Sequence, residues 1–448
     1  MNNKIKILLI IPLFLVFFVF FTHAITIKHT VIDNIFIGGL LQQIAVNPVT
    51  NLIYVVNLRN DEVAVIDGSN NSIITTISVG SVPRGVALNS FTNLVYVTNY
   101  QNDTVSVIDG YSNSVIETIP FSSIGSVDVN PITNFVYVRD GINDEYISVI
   151  DGGDNTVVDE IFVGCSPRDI SVNEYTNHIY VANSPCGSIS MIDGDTNEVE
   201  NVIALGSDPM SLDVSKTLDR VYVTDYFNNS LYVVDGFANS IITTIPVGSR
   251  PSGSGVKVNN LNDFIYVVNN TEGNVYVVDA KTNEVIDSIS LAEENDGTEV
   301  APGGIDINPQ TNRIYVPYGD PGYVAVIACQ FLISIDIKPG SYPNSINLKS
   351  RGKVPVAILT TDDFDAQYVD PETCVFAGAE PLRWNMIDLG RDGDVDMILH
   401  FKTQELNLNQ NSTEASLVCE IYGGTQIIGT DSVSIVPKNK VGSKNLKK

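Results

Sequence analysis

The segment Asp388-Leu389-Gly390-Arg391-Asp392-Gly393-Asp394-Val395-Asp396 sets carboxylates at positions 1, 5, 7 and 9, with Gly393 at position 6. Calcium takes about six to eight oxygens, and loops that wrap it place carboxylates at alternating positions around a glycine that permits a sharp bend. Asp388, Asp392, Asp394 and Asp396 are therefore candidate calcium ligands. Position 3, however, is Gly390, and Leu399 stands where such loops carry a glutamate at position 12. A second reading stays open: an acidic turn leading into a buried strand, with Asp396 pointing to solvent.

Other chemistry is thin. Only four histidines occur, His23, His29, His178 and His400, and no two of the five cysteines are closer than 21 residues, so neither a zinc site nor a serine triad is spelled out. No phosphate-binding glycine loop is present. The chain has 25 Lys+Arg against 52 Asp+Glu, a formal charge of −27 over 448 residues. Residues 1–24 hold two Lys and residues 438–448 hold five, with no acid in either, so the body carries 18 basic against 52 acidic groups, or −34. Affinity for a polyanion comes from neutralising phosphates, so nucleic acid is excluded as a general partner and cations are favoured.

The elements that position these groups follow from a repeat. Thr50-Asn51-Leu52-Ile53-Tyr54-Val55-Val56-Asn57 returns around Tyr96, Tyr137, Tyr180, Tyr222, Tyr266 and Tyr315, at spacings of 42, 41, 43, 42, 44 and 49 residues. An apolar pair followed by Asp-Gly recurs at Asp67, Asp109, Asp151, Asp193 and Asp235, then weakens to Asp279-Ala280 and Ala328-Cys329. Within one repeat, residues 85–88, 94–98, 104–108 and 114–119 read as four short strands separated by polar turns. Four strands per repeat, seven times over, predict an all-β chain: a seven-bladed β-propeller with one blade per repeat. The seventh repeat lacks a fourth strand, and residues 31–38 match the fourth-strand segment 157–164, so an N-terminal strand over 30–37 is expected to close the propeller. His29 falls just before that strand, and His178 in a turn between first and second strands, exposed to solvent.

These residues carry a resemblance. Tyr96-Val97-Thr98-Asn99, its variants at 54–57 and 180–183, the Val-Ile-Asp-Gly that follows and the Val-Gly-x-x-Pro linkers resemble the YVTN family of β-propeller repeats over residues 30–329. That family is common in archaeal surface-layer and bacterial secreted proteins, so the resemblance implies a propeller outside the cytoplasm. It implies no activity, because propellers host many functions. Repeats five to seven depart most: Thr217-Leu218-Asp219 and Leu261-Asn262-Asp263 replace the Thr-Asn turn, and Glu293 to Asp296 lie in an insertion.

Propeller ligands sit near the central channel. Aligning repeats puts Asp128, Asp213 and Asp306 at one position of the first strand, with Lys257 there in the sixth repeat and Asp169 two positions earlier in the fourth. Arg84 and Arg168 follow linker prolines at the expected channel mouth. One reading is a channel ligand or cation site, as in metal-dependent lactonase propellers; the other is a set of hydrated residues balancing one another. Copper and haem propellers need several histidines there, which this chain lacks.

From Leu332 the period disappears, and runs at 333–337, 354–359, 397–401, 415–421 and 432–436 predict a separate small β-sandwich over 332–437. Residues 335–341, 354–361 and 392–401 resemble an uncharacterised extracellular module appended to secreted proteins. At the N-terminus, Lys4 and Lys6 precede an apolar run at 7–21 and the small residues Thr22 and Ala24, the pattern of a signal peptide over 1–24, or of an anchor if uncleaved. That compartment suits two disulfides, Cys165–Cys186 across one hairpin and Cys374–Cys419 in the C-terminal region, leaving Cys329 over; unpaired thiols are the alternative. Sequons at Asn70, Asn102, Asn228, Asn269 and Asn411 fall in predicted turns or loops and are candidate glycosylation sites. The basic tail 438–448 reads as a disordered end or as an attachment to an acidic envelope polymer.

The sequence thus leads to an exported, non-enzymatic, cell-surface or secreted β-propeller scaffold, with calcium as the one candidate cofactor and envelope proteins or glycans as partners. It has no membrane association beyond the leader. The alternative is an extracytoplasmic metal-dependent hydrolase or lyase working at the channel mouth.

Overall fold

The structure is a computed structural model that describes residues 27–140, 145–206, 208–249, 251–291, 301–361, 364–422 and 425–436, without the side chains of 252–254. The leader 1–24, the insertion around Glu293–Asp296 and the tail 438–448 lie outside the described residues. The chain divides into two compact units, one of His29–Cys329 and one of Gln330–Lys448 with Met1–Lys28. No helix among the described residues is long and apolar enough to cross a membrane.

The larger unit is all-β. In the second repeat, strands Pro83–Asn89, Leu94–Asn99, Thr104–Asp109 and Ser114–Pro120 form one four-stranded antiparallel meander. Five more sheets repeat that order between Leu41 and Ser290. After them, Asp306–Asn308, Arg313–Tyr318 and Tyr323–Leu332 pair in sequence, and Ile27–Phe36 pairs with the last of these.

Burial explains the composition of each strand. The second and third strands are buried on both faces, as in Val95 to Asn99 and Val105 to Ile108, so they are rich in Val, Ile and Tyr, with buried polar residues such as Thr98, Asn99 and Ser106 among them. The fourth strands are mostly exposed and bury one side chain firmly, such as Ile119. Each sheet packs on the next: Tyr54, Val63 and Val65 lie with Val86, Val95 and Val97. Tyr315, Val324 and Val326 of the last repeat lie likewise with Leu41, Ile53 and Val55 of the first.

Two polar devices stitch neighbouring repeats and account for the sequence markers. The asparagine ending a first strand donates to the residue at the Thr-Asn position of the following repeat: Asn47 to Asn93 at 2.7 Å, Asn89 to Asn134 at 2.6 Å and Asn130 to Asn177 at 2.7 Å. The series continues through Asn173 to Asp219, Thr217 to Asp263 and Asn259 to Asn312, and runs from Asn308 to Asn51 at 2.6 Å. Each acceptor sits at positive φ, for example 58° at Asn93 and 49° at Asp219. Asn and Asp both tolerate that backbone and both offer a carboxamide or carboxylate oxygen, so the departures at 219 and 263 keep the contact. The Asp-Gly marker is a packing device. A Cβ on Gly152 would meet Asn134 O at 2.7 Å and the Tyr96 hydroxyl of the preceding repeat at 2.9 Å.

In the smaller unit, Ile335–Ile337, Lys353–Ile358, Asp396–Lys402 and Pro381–Ile387 make one antiparallel sheet in that order. Val369–Phe376, Glu414–Ile421 and Gln426–Ser432 make a second, and Gln330 to Leu332 pair in parallel with Gln426 to Ile428. Both sheets contribute to one core that includes Val356, Leu399, Phe401, Phe376, Leu417 and Ile427. Four strands here, Ser345–Ile346, Val369–Phe376, Pro381–Ile387 and Gln426–Ser432, were not expected from the sequence. The expected strand at 432–436 is confined to Ser434–Ile435.

Two histidine placements differ from expectation. His178 is not in an exposed turn: it opens the strand His178–Asn183, half-buried, with its ring edge against Tyr180 and Nε2 3.6 Å from Glu200 Oε2. His29 lies inside the strand Ile27–Phe36, which begins earlier than residue 30.

Candidate functional site

The first strands bring together four charged side chains. Lys257 Nζ lies 3.3 Å from Asp306 Oδ1 and 4.0 Å from Asp213 Oδ1, and its charge also acts on Asp128. The equivalence seen in the alignment is therefore spatial: one position of the first strand, in four repeats, faces a common space. Water reaches 36% of the Lys257 side chain but only 14% and 16% of Asp213 and Asp306.

Each carboxylate also bridges to the next repeat. Asp128 Oδ2 accepts from Val172 N at 2.8 Å, Asp213 Oδ2 from Val258 N at 2.8 Å and Asp306 Oδ2 from Val46 N at 2.7 Å. Asp169 does the same two residues earlier, with Oδ2 accepting from Ser211 Oγ at 2.8 Å and Leu212 N at 3.1 Å. The remaining oxygens are engaged too: Asp128 Oδ1 with Val129 N, Asp213 Oδ1 with Ser171 Oγ, and Asp306 Oδ1 with Lys257. These aspartates thus satisfy backbone donors that the short first strands leave unpaired.

Electrostatics follow from this crowding. Burial pushes the Asp128 carboxyl up to about 7, against the pull of Lys257 and two backbone donors. Burial likewise raises Asp169 to about 6. For Lys257, burial lowers the pKa, but the carboxylates of Asp213, Asp306 and Asp128 outweigh it and hold the ammonium well above the usual lysine range. The cluster therefore contains its own resident cation.

Arg84 stacks its guanidinium 3.7 Å from the Tyr100 ring centroid, and Arg168 is exposed.

In the acidic loop of the smaller unit, the structure overturns one part of the second sequence reading. Asp396 does not point to solvent: it is buried, with Oδ1 accepting from Thr360 N at 2.9 Å and Oδ2 from Leu389 N at 3.0 Å. Asp388, Asp392 and Asp394 are exposed, and two of them turn back on the loop, Asp388 onto Gly393 N and Asp392 onto Asp394 N. The four carboxylates do not converge. Among the described residues no group of three or more His, Cys, Asp or Glu is placed to hold a metal ion.

Cys165 is bonded to Cys186 and Cys374 to Cys419, while Cys329 is free and buried. Cys329 occupies the glycine place of the decayed Asp-Gly marker, beside Tyr266, and burial pushes its thiol up to about 12. Tyr266 also receives His29: His29 Nε2 lies 3.2 Å from its hydroxyl and His29 Nδ1 3.1 Å from Asp287 Oδ2. Burial lowers the His29 pKa in spite of Asp287. No sequence signal announced this group, because its members lie up to 300 residues apart.

The sequons separate. Asn70, Asn102, Asn228 and Asn411 are exposed. Asn269 is not in a loop; it ends the strand Phe264–Asn269, fully buried, with Nδ2 donating to Val247 O at 3.2 Å. It is the Asn of the Tyr-Val-x-Asn core, whose side chain is a structural donor, and glycan has no access to it.

No protein-family model matches the chain, and no curated protein matches it in sequence.

Proposed function

We propose that this chain is an exported YVTN-type repeat protein whose seven repeats close into a seven-bladed β-propeller, completed by the strand Ile27–Phe36 and followed by a small β-sandwich. It serves as a binding and structural scaffold at the cell surface or outside the cell, with envelope proteins or glycans as partners. Closure is supported by the side-chain series that runs from Asn308 back to Asn51, and by packing of Tyr315 on the first repeat. Two disulfides fit an oxidising compartment.

The observation that carries the scaffold reading is the engagement of the channel carboxylates. Every oxygen of Asp128, Asp213 and Asp306 already meets a backbone N–H, a hydroxyl or Lys257. A hydrolase using this position needs carboxylate oxygens directed at a metal or a water. Fractionation of the host, with surface proteolysis of intact cells, tests the location; recovery in the cytoplasm would sink it. Lactone hydrolysis is expected to stay at the buffer rate with added divalent metals. Turnover abolished by Asp306→Asn would overturn the scaffold reading.

A further inference from the structure

At one end of the repeat sheets, large apolar side chains are held out into solvent at a fixed register. Val49, Phe91, Ile132, Tyr175 and Leu261 each stand two residues after the asparagine that ends a first strand, and they are 50% to 72% exposed. The same asparagines pin them: Asn89 Oδ1 accepts from Phe91 N at 2.9 Å, Asn130 Oδ1 from Ile132 N at 2.9 Å and Asn259 Oδ1 from Leu261 N at 3.0 Å. The turns between third and fourth strands open at the same end, since Asn89, Leu94, Asp109 and Ser114 form one row across the sheet. Two of those turns add Tyr111, 78% exposed, and Phe237, 90% exposed, each held by its Asp-Gly aspartate.

Nothing in the fold needs apolar residues here, because none of them is buried and a turn of this kind accepts polar residues equally. Successive repeats are tied together at this end by the Asn-to-Asn contacts, so the side chains form a series on a rigid base. A rigid base lowers the ordering cost of binding.

The charge between them is mostly acidic. Asp67, Asp109, Asp151, Asp193, Asp235 and Asp279 end the third strands along this series. Hydrogen bonds from the Ser69 hydroxyl and from Tyr111 N–H hold Asp67 and Asp109 below the usual carboxylate range. The basic side chains described at this end are engaged: Lys216 by Glu174, Lys281 by Asp263, and Arg220 and Arg313 by the carbonyls of Ala280 and Gly68. Two such faces would repel one another, which disfavours face-to-face pairing of copies. A fitting partner brings positive charge with aliphatic side chains between. Residues 438–448 of the sequence do so, with five Lys, no acid, and Val441 and Leu446 among them.

We propose that this acidic, apolar-studded face docks residues 437–448 of a second copy, giving head-to-tail association of the chain. The inference does not depend on where the protein resides. A labelled synthetic peptide of residues 437–448 is titrated into the chain and followed by fluorescence anisotropy, with self-association of the chain followed by sedimentation velocity. Saturable binding is expected, weakened by salt, and reduced about tenfold by Phe91→Ser, Tyr175→Ser and Phe237→Ser together. These sites are exposed, so the melting temperature checks that the variant stays folded. A peptide with Val441→Ser and Leu446→Ser keeps its charge and is expected to bind more weakly. Deleting 437–448 is expected to abolish self-association. Absence of binding, binding indifferent to the triple variant, or self-association that survives the deletion would each overturn the proposal. The last would assign the face to direct pairing of copies. Binding of a neutral polysaccharide that the peptide fails to displace would assign it to glycan.

Discussion

Asn308 Nδ2 donates to Asn51 Oδ1 over 2.6 Å, joining residues 257 apart in the sequence. Asn308 Oδ1 meanwhile accepts from Gln310 N and Thr311 N, so one side chain both shapes its own turn and holds the first repeat. Asn308→Ala removes all three contacts and is expected to cost about 1–3 kcal/mol by urea unfolding. Asn308→Asp keeps the turn but sets a buried carboxylate oxygen against Asn51 Oδ1, so its loss should be at least as large. Equal stability of wild type and Asn308→Ala would mean that the contact holds nothing.

The aspartate cluster predicts a pH dependence. The Asp128 carboxyl, ordinarily near 3.8, is raised to about 7 by burial. Between those values the native chain holds a proton that the unfolded chain has released, so stability falls as pH rises through that window. Asp169, raised to about 6, adds in the same sense. Asp128→Asn is expected to flatten the fall in urea midpoint between pH 4 and pH 7, and Asp169→Asn on top of it to flatten it further.

Lys257 is expected to matter most when Asp128, raised to about 7 by burial, is ionised. Lys257→Met leaves Asp213 and Asp306 facing each other without the ammonium between them. We expect a loss of about 1–3 kcal/mol at pH 8, below the full cost of breaking a buried pair because water reaches the lysine. At pH 5 the loss should shrink, because Asp128 is then protonated and its charge no longer acts on the ammonium. A loss independent of pH would point to packing of the lysine stem instead.

Thiol titration separates the cysteines. The native chain should show no thiol reactive toward an aromatic disulfide reagent, and the unfolded, unreduced chain one, Cys329. Replacing Cys374 and Cys419, 45 residues apart, by Ala should lower stability by about 2–4 kcal/mol.

The acidic loop is expected to behave as structure. Asp396→Ala strands the amides of Thr360 and Leu389 and should cost about 2 kcal/mol. Asp392→Ala, on an exposed carboxylate, should stay within about 0.5 kcal/mol. Millimolar calcium should leave the melting temperature unchanged. A rise in melting temperature that Asp392→Ala with Asp394→Ala removes would show that the exposed carboxylates gather round an ion.

Legibility differed between the two units for a physical reason. In the repeats, strands buried on both faces favour Val, Ile and Tyr at most positions, and a recurring environment imposes the same residue types at each recurrence. The four-strand unit could thus be read from residues 85–119 alone. In the smaller unit, Pro381–Ile387 lies at the edge of its sheet with most of its side chains exposed, so its short alternation Leu382-Arg383-Trp384-Asn385-Met386 marks no buried face and carries little signal. Asp396 misled for a related reason: whether a carboxylate faces solvent or caps two backbone amides depends on where Thr360 arrives from, 36 residues away. Asn269 matched a sequon, but its fate is set by the carbonyl of Val247 above it.

The sequence by itself determined the period, the strands within it, the residue types tolerant of positive φ in its turns, and the excess of acid over base. These are local properties, fixed by backbone sterics and by the burial each position recurrently meets. Only the tertiary structure decided that the aspartates around Lys257 are committed to the next repeat's amides, and that Phe91, Tyr175 and Phe237 share one end. Hydrogen-bond partners and shared exposure are properties of pairs brought together by folding, and one strand's sequence does not contain its neighbour.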